Sequence, residues 1–352
     1  MAVTRPVVLV DELVLDGSAR AFPLQWLDGC DARPYAPRQL GKAAVAHAAI
    51  AQAAIVRSMT RVGRAELAAL PALRLIATLS SGTDHLDARA LAARSVQLST
   101  GHGGNARAVA DWVQWAIDRL APRAGLRVLV VGLGAVGGIV AERLAAAGNE
   151  VLPCDPPLAA DARFAGARPW CDLDQALARD PDVVTLHVPL AADGAHPTGG
   201  LFDARRLARW ARPGRVLLNA ARGGILDEAA AARAVAEQRL VLGLDTFGGE
   251  PRPAPTTLAA CALATPHIAG HSVEGKLDVA HRALSGLRAA FGLPALAPLV
   301  DVAAEALSPL PTALVEPFGA LDRCATAFAA DAGAFERLRH GHLRRERLPL
   351  PP

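Results

Sequence analysis

The stretch that most constrains this chain is RVLVVGLGAVGGIVAERLAAAGNEVLPCD, residues 127–155. It opens with an apolar, β-branched run at 128–131, of strand length. A Gly-x-Gly-x-x-Gly turn follows at Gly132, Gly134 and Gly137. Then comes a helical pattern, with Val136, Ile139, Val140 and Leu144 at spacings of three and four. Gly148 and Asn149 stop it, and a second short strand leads to Asp155. The glycines have separate tasks. Gly132 permits a tight turn, Gly134 lets backbone N–H groups approach a pyrophosphate, and Gly137 lets the helix lie close to the strand. The helix N-terminus offers N–H groups and the positive end of its dipole to phosphates. Asp155 lies eighteen positions after Gly137. It can accept hydrogen bonds from a ribose diol and would repel a 2′-phosphate, which favours NAD over NADP. Glycine-rich turns alone are common. A strand before, a helix after and an acid at the next strand end make dinucleotide binding the expectation, rather than a merely structural turn.

Length and composition set the frame around that unit. A chain of 352 residues, 52% of them hydrophobic, has room for two or three domains with sizeable cores. A net charge of +3 is too small to imply nucleic acid or an acidic membrane surface. No apolar stretch reaches the ~18 residues of a membrane span. Residues 1–4 lead almost directly into a strand-like run, so no signal peptide is expected. The five cysteines are odd in number and scattered, without a CxxC pair to suggest metal or redox chemistry, and a reducing cytoplasm is the natural setting.

Short apolar runs alternate with helical stretches on both sides of the glycine unit, the pattern of parallel βαβ folding. In the first hundred residues, strands are expected at 7–10, 53–56, 73–78 and 96–98, with helices at 43–51 and 64–70. Residues 101–105 form a turn in which Asn105 can cap the next helix. Val109, Trp112, Val113, Ala116, Ile117 and Leu120 line one face of that helix. Trp112 and Trp115 read as core rather than as cofactor contacts. After the glycine unit, helices are expected at 172–178, 203–210 and 227–237, and strands at 183–187, 216–219 and 240–244. The loops at 189–200 and 246–255 follow strand ends, where ligands sit in such sheets. A long helix spans 276–291 and returns to the first domain. Beyond Leu293 prolines break the pattern, and 337–347 holds five arginines.

A bound NAD implies hydride transfer, which needs an acid/base and an anion anchor. Arg222, Glu250 and His267 each stand just past an expected strand. Arginine grips a carboxylate with a planar fork. Histidine can take an alcohol proton as hydride leaves. Glutamate can hold the imidazole and fix its tautomer. Singly, each has a bland reading: a surface arginine, a loop acid before Pro251, a turn histidine after Pro266. Their joint arrival at strand ends of an NAD-type sheet favours chemistry.

The segments VRSMTRV (56–62), ATLSSGTDHLD (77–87), the glycine fingerprint, CDPP (154–157), HVPLAADG (187–194), NAARGGILD (219–227) and TPHIAGHSVEGK (265–276) go further. With them the chain resembles the D-isomer-specific 2-hydroxyacid dehydrogenases. GAFERLRHGHLRRER (333–347) fits a C-terminal region that ordinary members lack. The resemblance implies an α/β architecture of two Rossmann-like or flavodoxin-like parallel-sheet domains with a small C-terminal dimerisation region. Residues 1–100, completed by 277–293, would bind substrate, 101–276 would bind NAD, and 294–352 would hold a homodimer. It also implies Arg222, Glu250 and His267 as the catalytic set. Asp155, Val188, Asp245 and Gly270 would join the glycines at NAD. Ser58, Ser80 and His271 would lie at the substrate, and Arg57, beside Ser58, is a candidate for a substrate phosphate. Ser80 stands where a threonine is expected, Val188 for a threonine, His271 for a tyrosine, and Gly248 for an acid. The terminal arginines read either as a solvated helix face or as a dimer surface reaching a partner's phosphate pocket. The expected activity is NAD-dependent oxidation of a phosphorylated 2-hydroxy acid. The alternatives are the same chemistry on phosphoglycerate or glycerate, or an NAD-sensing binding protein of the same fold.

Overall fold

A computed structural model describes residues 5–15, 22–41, 47–161, 170–299 and 317–342. The chain divides into two compact units, residues 1–105 with 272–311 and residues 106–271 with 312–352.

The first unit is built on a five-stranded parallel sheet of β1 (Val7–Asp11), β2 (Asp31–Tyr35), β3 (Ala53–Val56), β4 (Leu75–Thr78) and β5 (Gln97–Thr100), in the order β2-β1-β3-β4-β5. The central strands β3 and β4 are buried at every residue, because helices cover both faces of a parallel sheet. The helix Val273–Ala290 returns to β4 and β5 and buries Leu277, Ala280, Ala283, Leu284 and Leu287. Strand β2, DARPY, was not expected. It is an edge strand where charge and proline are tolerated, and only Tyr35 is buried. The helix expected at 43–51 is not seen in its described part. His47 has a left-handed φ of 67° and Ala48–Ile50 is a single 3-10 turn; residues 43–46 lie outside the described residues.

The second unit carries a six-stranded parallel sheet. Its strands are β6 (Arg127–Val131), β7 (Glu150–Cys154), β8 (Val183–Leu186), β9 (Val216–Asn219), β10 (Val241–Leu244) and β11 (Leu263–Ala264), ordered β11-β10-β9-β8-β6-β7. Asp172, Asp203 and Asp227 each accept a backbone N–H three residues on and so start the helices Leu173–Ala178, Ala204–Trp210 and Glu228–Ala236. Trp112 and Trp115 of the helix Ala106–Leu120 are buried in the core. Each long helix belongs wholly to one unit, with the boundary at or just before its first residue.

The described residues beyond Leu293 do not form a body of their own. Residues 294–299 go with the first unit and 317–342 with the second. Phe328 and Phe335, on helices Pro317–Ala330 and Phe335–Gly341, are buried in the second unit's core. The five cysteines are free thiols. No helix among the described residues is long and apolar enough to cross a membrane.

Candidate active site

Turns at the carboxyl ends of β6, β9, β10 and β11 carry the chemistry-bearing residues of the second unit, the edge where ligands bind in open parallel sheets. Gly132 turns the chain after β6 with φ 86°, and Gly134 caps the helix Ala135–Ala146. A side chain at Gly137 would place its first carbon 1.8 Å from the Gly132 carbonyl oxygen, so helix and strand approach as only glycine allows. At Gly134 such a carbon would meet nothing within 4 Å. The second glycine therefore opens onto space while the third is locked against backbone, as a pyrophosphate cradle requires. Asp155 Oδ2 accepts from the Leu133 N–H at 2.8 Å, and Oδ1 accepts from Leu158 at 3.0 Å. The half-buried carboxylate thus ties the glycine turn to the end of β7 and keeps lone pairs for a ribose diol. These residues fit a dinucleotide. Val188 packs against the turn; a carbon added at Gly132 would lie 2.8 Å from its Cγ1. It contributes apolar surface, with no hydroxyl to offer.

His267 and Glu250 meet directly. His267 Nδ1 lies 2.7 Å from Glu250 Oε2, and Glu250 Oε1 accepts the Phe247 N–H at 2.8 Å. A carboxylate accepts, so Nδ1 carries the proton and Nε2 is the nitrogen left to face a ligand. The two side chains are 29% and 21% exposed, enough to be reached from solvent. Burial pushes the Glu250 carboxyl up. The hydrogen bond and charge of His267, the Phe247 N–H and the charge of Arg339 outweigh it and hold the group below its ordinary range.

The backbone at His267 is left-handed, with φ 54°, a strained state for a non-glycine residue. Asp245 is what imposes it. This fully buried residue accepts the His267 N–H on its carbonyl at 2.8 Å. Its carboxylate accepts from Thr265 Oγ1, Ile268 N and Ala269 N at 2.6, 2.8 and 2.9 Å. Trp112 Nε1 donates to Thr265 Oγ1 at 2.9 Å and closes the network from the core side. Asp245 was expected on the cofactor; in this structure its oxygens organise the loop that carries His267. Gly270 follows on that loop, half-buried.

Arg222 stands on the turn after β9. Asn219 shapes that turn, accepting from Ala221 N at 3.0 Å and donating to the Arg222 carbonyl at 2.8 Å. A carbon added to Gly223 would lie 2.0 Å from the Phe247 carbonyl oxygen, so the arginine turn and the glutamate loop lie backbone against backbone. Glu228 braces the same loop by accepting the Gly248 N–H at 2.5 Å.

The C-terminal helices were not legible as part of this site. Phe247 packs on Phe328 with ring centroids 6.1 Å apart, and Phe328 on Phe335 at 5.7 Å. His271, expected to face the substrate, donates from Nδ1 to the Arg339 carbonyl at 3.1 Å. Of the five terminal arginines, Arg344, Arg345 and Arg347 lie outside the described residues. Three isolated phenylalanines scattered over 247–335 carry no local signal that they will pack edge to face.

In the first unit, Arg57 and Ser58 follow β3 and Ser80 follows β4, again at carboxyl ends. Arg57 Nη1 lies 3.9 Å from the buried Asp11 carboxylate, a contact that sequence reading missed. Ser80 Oγ donates to the Gly82 carbonyl at 2.7 Å.

Residues 102–269 match the family model for the NAD binding domain of D-isomer specific 2-hydroxyacid dehydrogenases. An erythronate-4-phosphate dehydrogenase of Pseudomonas paraeruginosa is 42% identical over 251 residues, 68% of this chain and 64% of that protein. A protein of the same name from Pseudomonas savastanoi pv. phaseolicola is 38% identical over 271 residues, 75% of this chain and 69% of that one. The chain thus spans somewhat under two thirds of the first of these relatives. Among solved structures, a glyoxylate reductase from Paecilomyes thermophila superposes with a TM-score of 0.66 at 20% identity, covering 84% of this chain and 99% of that one. An NADPH-dependent glyoxylate/hydroxypyruvate reductase from Sinorhizobium meliloti gives 0.66 at 21%, covering 85% and 98%. At such identities the superpositions speak to the fold, and they agree with two parallel-sheet units. The cofactor of the matched domain is NAD, in keeping with the glycine cradle and Asp155. With two thirds of a 38%-identical relative covered and the NAD domain matched, the chain belongs to the D-isomer-specific 2-hydroxyacid dehydrogenases.

Proposed function

We propose that this protein is an erythronate-4-phosphate dehydrogenase, oxidising C2 of 4-phospho-D-erythronate to give 2-oxo-3-hydroxy-4-phosphobutanoate, a step towards pyridoxal 5′-phosphate. The observation that carries the chemistry is the 2.7 Å contact of His267 Nδ1 with Glu250. Bound NAD supplies the hydride acceptor. With Nδ1–H held by Glu250, His267 Nε2 takes the proton of the C2 hydroxyl. The resulting imidazolium is stabilised by the carboxylate it already faces. Arg222 pairs with the substrate carboxylate through its guanidinium. Asp245 and the Phe247 N–H take no part in the proton transfer; they hold His267 and Glu250 in place. The relatives' shared name supports the phosphorylated substrate, and so does the VRSMTRV segment, which sets Arg57 and Ser58 together after β3.

Ser58, Ser80 and His271 belong to the substrate in this reading, and Gly270 and Val188 to NAD. Arg57 is the residue for the phosphate. Charged hydrogen bonds contribute about 1.5–3 kcal/mol each, so two of them would favour phosphoerythronate over erythronate by roughly 10²–10⁴ in kcat/KM. The Asp11 carboxylate near Arg57 neutralises part of that charge and points to the lower end of the range. Arg57→Ala should remove much of the preference and barely change activity on erythronate. Equal use of erythronate and its phosphate by the unaltered enzyme would leave a general 2-hydroxyacid dehydrogenase.

The same reading makes the protein a cytoplasmic homodimer held partly by residues 294–352, with neither nucleic acid nor membrane as partner. Sedimentation of a chain ended at Leu293 should then show monomer or aggregate; a well-behaved dimer would remove this part.

A further inference from the structure

The DHLD segment at 84–87 is not used by the chemistry above, yet its histidine reaches the residue expected to touch substrate. His85 Nε2 lies 3.0 Å from Thr78 Oγ1, at the buried end of β4. Thr78 Oγ1 lies 2.7 Å from Ser80 Oγ, and Ser80 Oγ lies 2.7 Å from the Gly82 carbonyl oxygen. All four residues belong to the first unit.

The direction of every bond in this chain follows from its last member. A carbonyl oxygen only accepts, so the single Ser80 proton goes to Gly82. Ser80 then accepts from Thr78, whose proton is committed in turn. Thr78 therefore accepts from His85, and the imidazole must carry its proton on Nε2. Burial pushes the His85 pKa down to about 4, against the pull of Asp84, so the ring is neutral near pH 7. A hydroxyl has one proton and two lone pairs. With the proton on Gly82 and one lone pair on Thr78, Ser80 offers a ligand one lone pair and nothing to donate.

We propose that His85 is a positioning residue which, through Thr78, holds the Ser80 hydroxyl as a pure hydrogen-bond acceptor, selecting a substrate hydroxyl there and disfavouring a carboxylate or phosphate oxygen. The selectivity rests on the function proposed above, where the hydroxyl concerned is the one at C3, the neighbour of the reacting carbon. The polarity of the relay does not depend on that function.

Two measurements separate these parts. In protein labelled with 15N-histidine, long-range 1H–15N spectra report the tautomer of each ring, and His85→Gln identifies the His85 signals. The neutral Nε2–H form is expected, and the Nδ1–H form would overturn the proposal whatever the substrate. The second compares kcat/KM for 4-phospho-D-erythronate and for 2-hydroxy-4-phosphobutanoate, which lacks the C3 hydroxyl. His85→Leu should reduce the preference for the hydroxylated compound about five- to tenfold, the worth of one hydrogen bond, mainly through KM. His85→Gln, whose amide N–H can replace Nε2–H, should restore most of it. Equal losses on both compounds, or an unchanged ratio, would make His85 merely structural and refute its role in selection. If the unaltered protein oxidises neither compound, the proposed function fails, while the tautomer still decides the polarity.

Discussion

The two units thread their strands in the same order and furnish the resulting crevice in opposite ways. Counted from its own first strand, each sheet runs second, first, third, fourth, fifth, so each has a topological switch between its first and third strands. Ligands bind at that switch, beyond the carboxyl ends. In the second unit the turn after the first strand is Gly132-Leu133-Gly134, open at Gly134 and leading into a twelve-residue helix. In the first unit the corresponding turn begins at Asp11, which is 2% exposed and whose Oδ1 accepts the Leu13 N–H at 3.1 Å. The third strand there is followed at once by Arg57, within 3.9 Å of the same carboxylate. One crevice is lined by backbone donors and a helix N-terminus, the other by a paired acid and base. Strand order makes a crevice; the residues of the first turn decide what enters it. A pyrophosphate needs close approach to backbone N–H groups, which glycine permits and a buried carboxylate opposes.

The largest effect expected from this contrast is on chemistry, which belongs to the second unit. His267→Ala should lower turnover by roughly 10²–10⁴, the usual worth of a general acid/base, while calorimetry still shows NAD binding. A loss of NAD affinity of that size would instead make His267 a structural support of the loop.

Next come the glycines. Gly137→Ala puts a methyl against the Gly132 carbonyl and should cost about 1–3 kcal/mol of stability, as overpacking does, read by denaturant titration. Gly134→Ala meets no protein atom, so stability should hold while NAD affinity falls. Asp11→Asn, at the other crevice, should leave NAD affinity unchanged. If it weakened NAD as Gly134→Ala does, the division of labour between the units would be wrong.

The smallest effect is on pH dependence. The Glu250 carboxyl is held below its ordinary value of 4.5 in the folded protein. Its contribution to stability is therefore complete above that value and lost as pH falls through the lower, folded one. Glu250→Gln should lack this acid-side loss, so the gap in denaturation midpoint between the two proteins should narrow below pH 4.5. A gap that stayed constant down to pH 2 would mean that His267 and Phe247 do not stabilise the ionised form.

Local pattern carried much of this. The glycine unit, the strand ends bearing Arg222, Glu250 and His267, and most buried strands were legible because alternation, caps and glycine turns act over a few residues. Tertiary structure decided the rest. Strand β2 is polar because an edge strand needs little burial, so nothing in DARPY marked it. Asp245 has the look of a ligand-binding acid at a strand end, and only the return of Thr265, Ile268 and Ala269 shows it holding a loop. The hydroxyl of Ser80 has its direction set by the Gly82 carbonyl, and the same row of hydrogen bonds runs back through Thr78 to a histidine five residues on. The edge-to-face cluster of Phe247, Phe328 and Phe335 joins positions more than eighty residues apart. By itself the sequence determined most of the buried elements and where a dinucleotide can be cradled, since backbone freedom and short-range periodicity are properties of neighbours. Which side chains end up sharing a proton or a ring face was decided only by the folded chain, because distant segments meet only when the core brings them together.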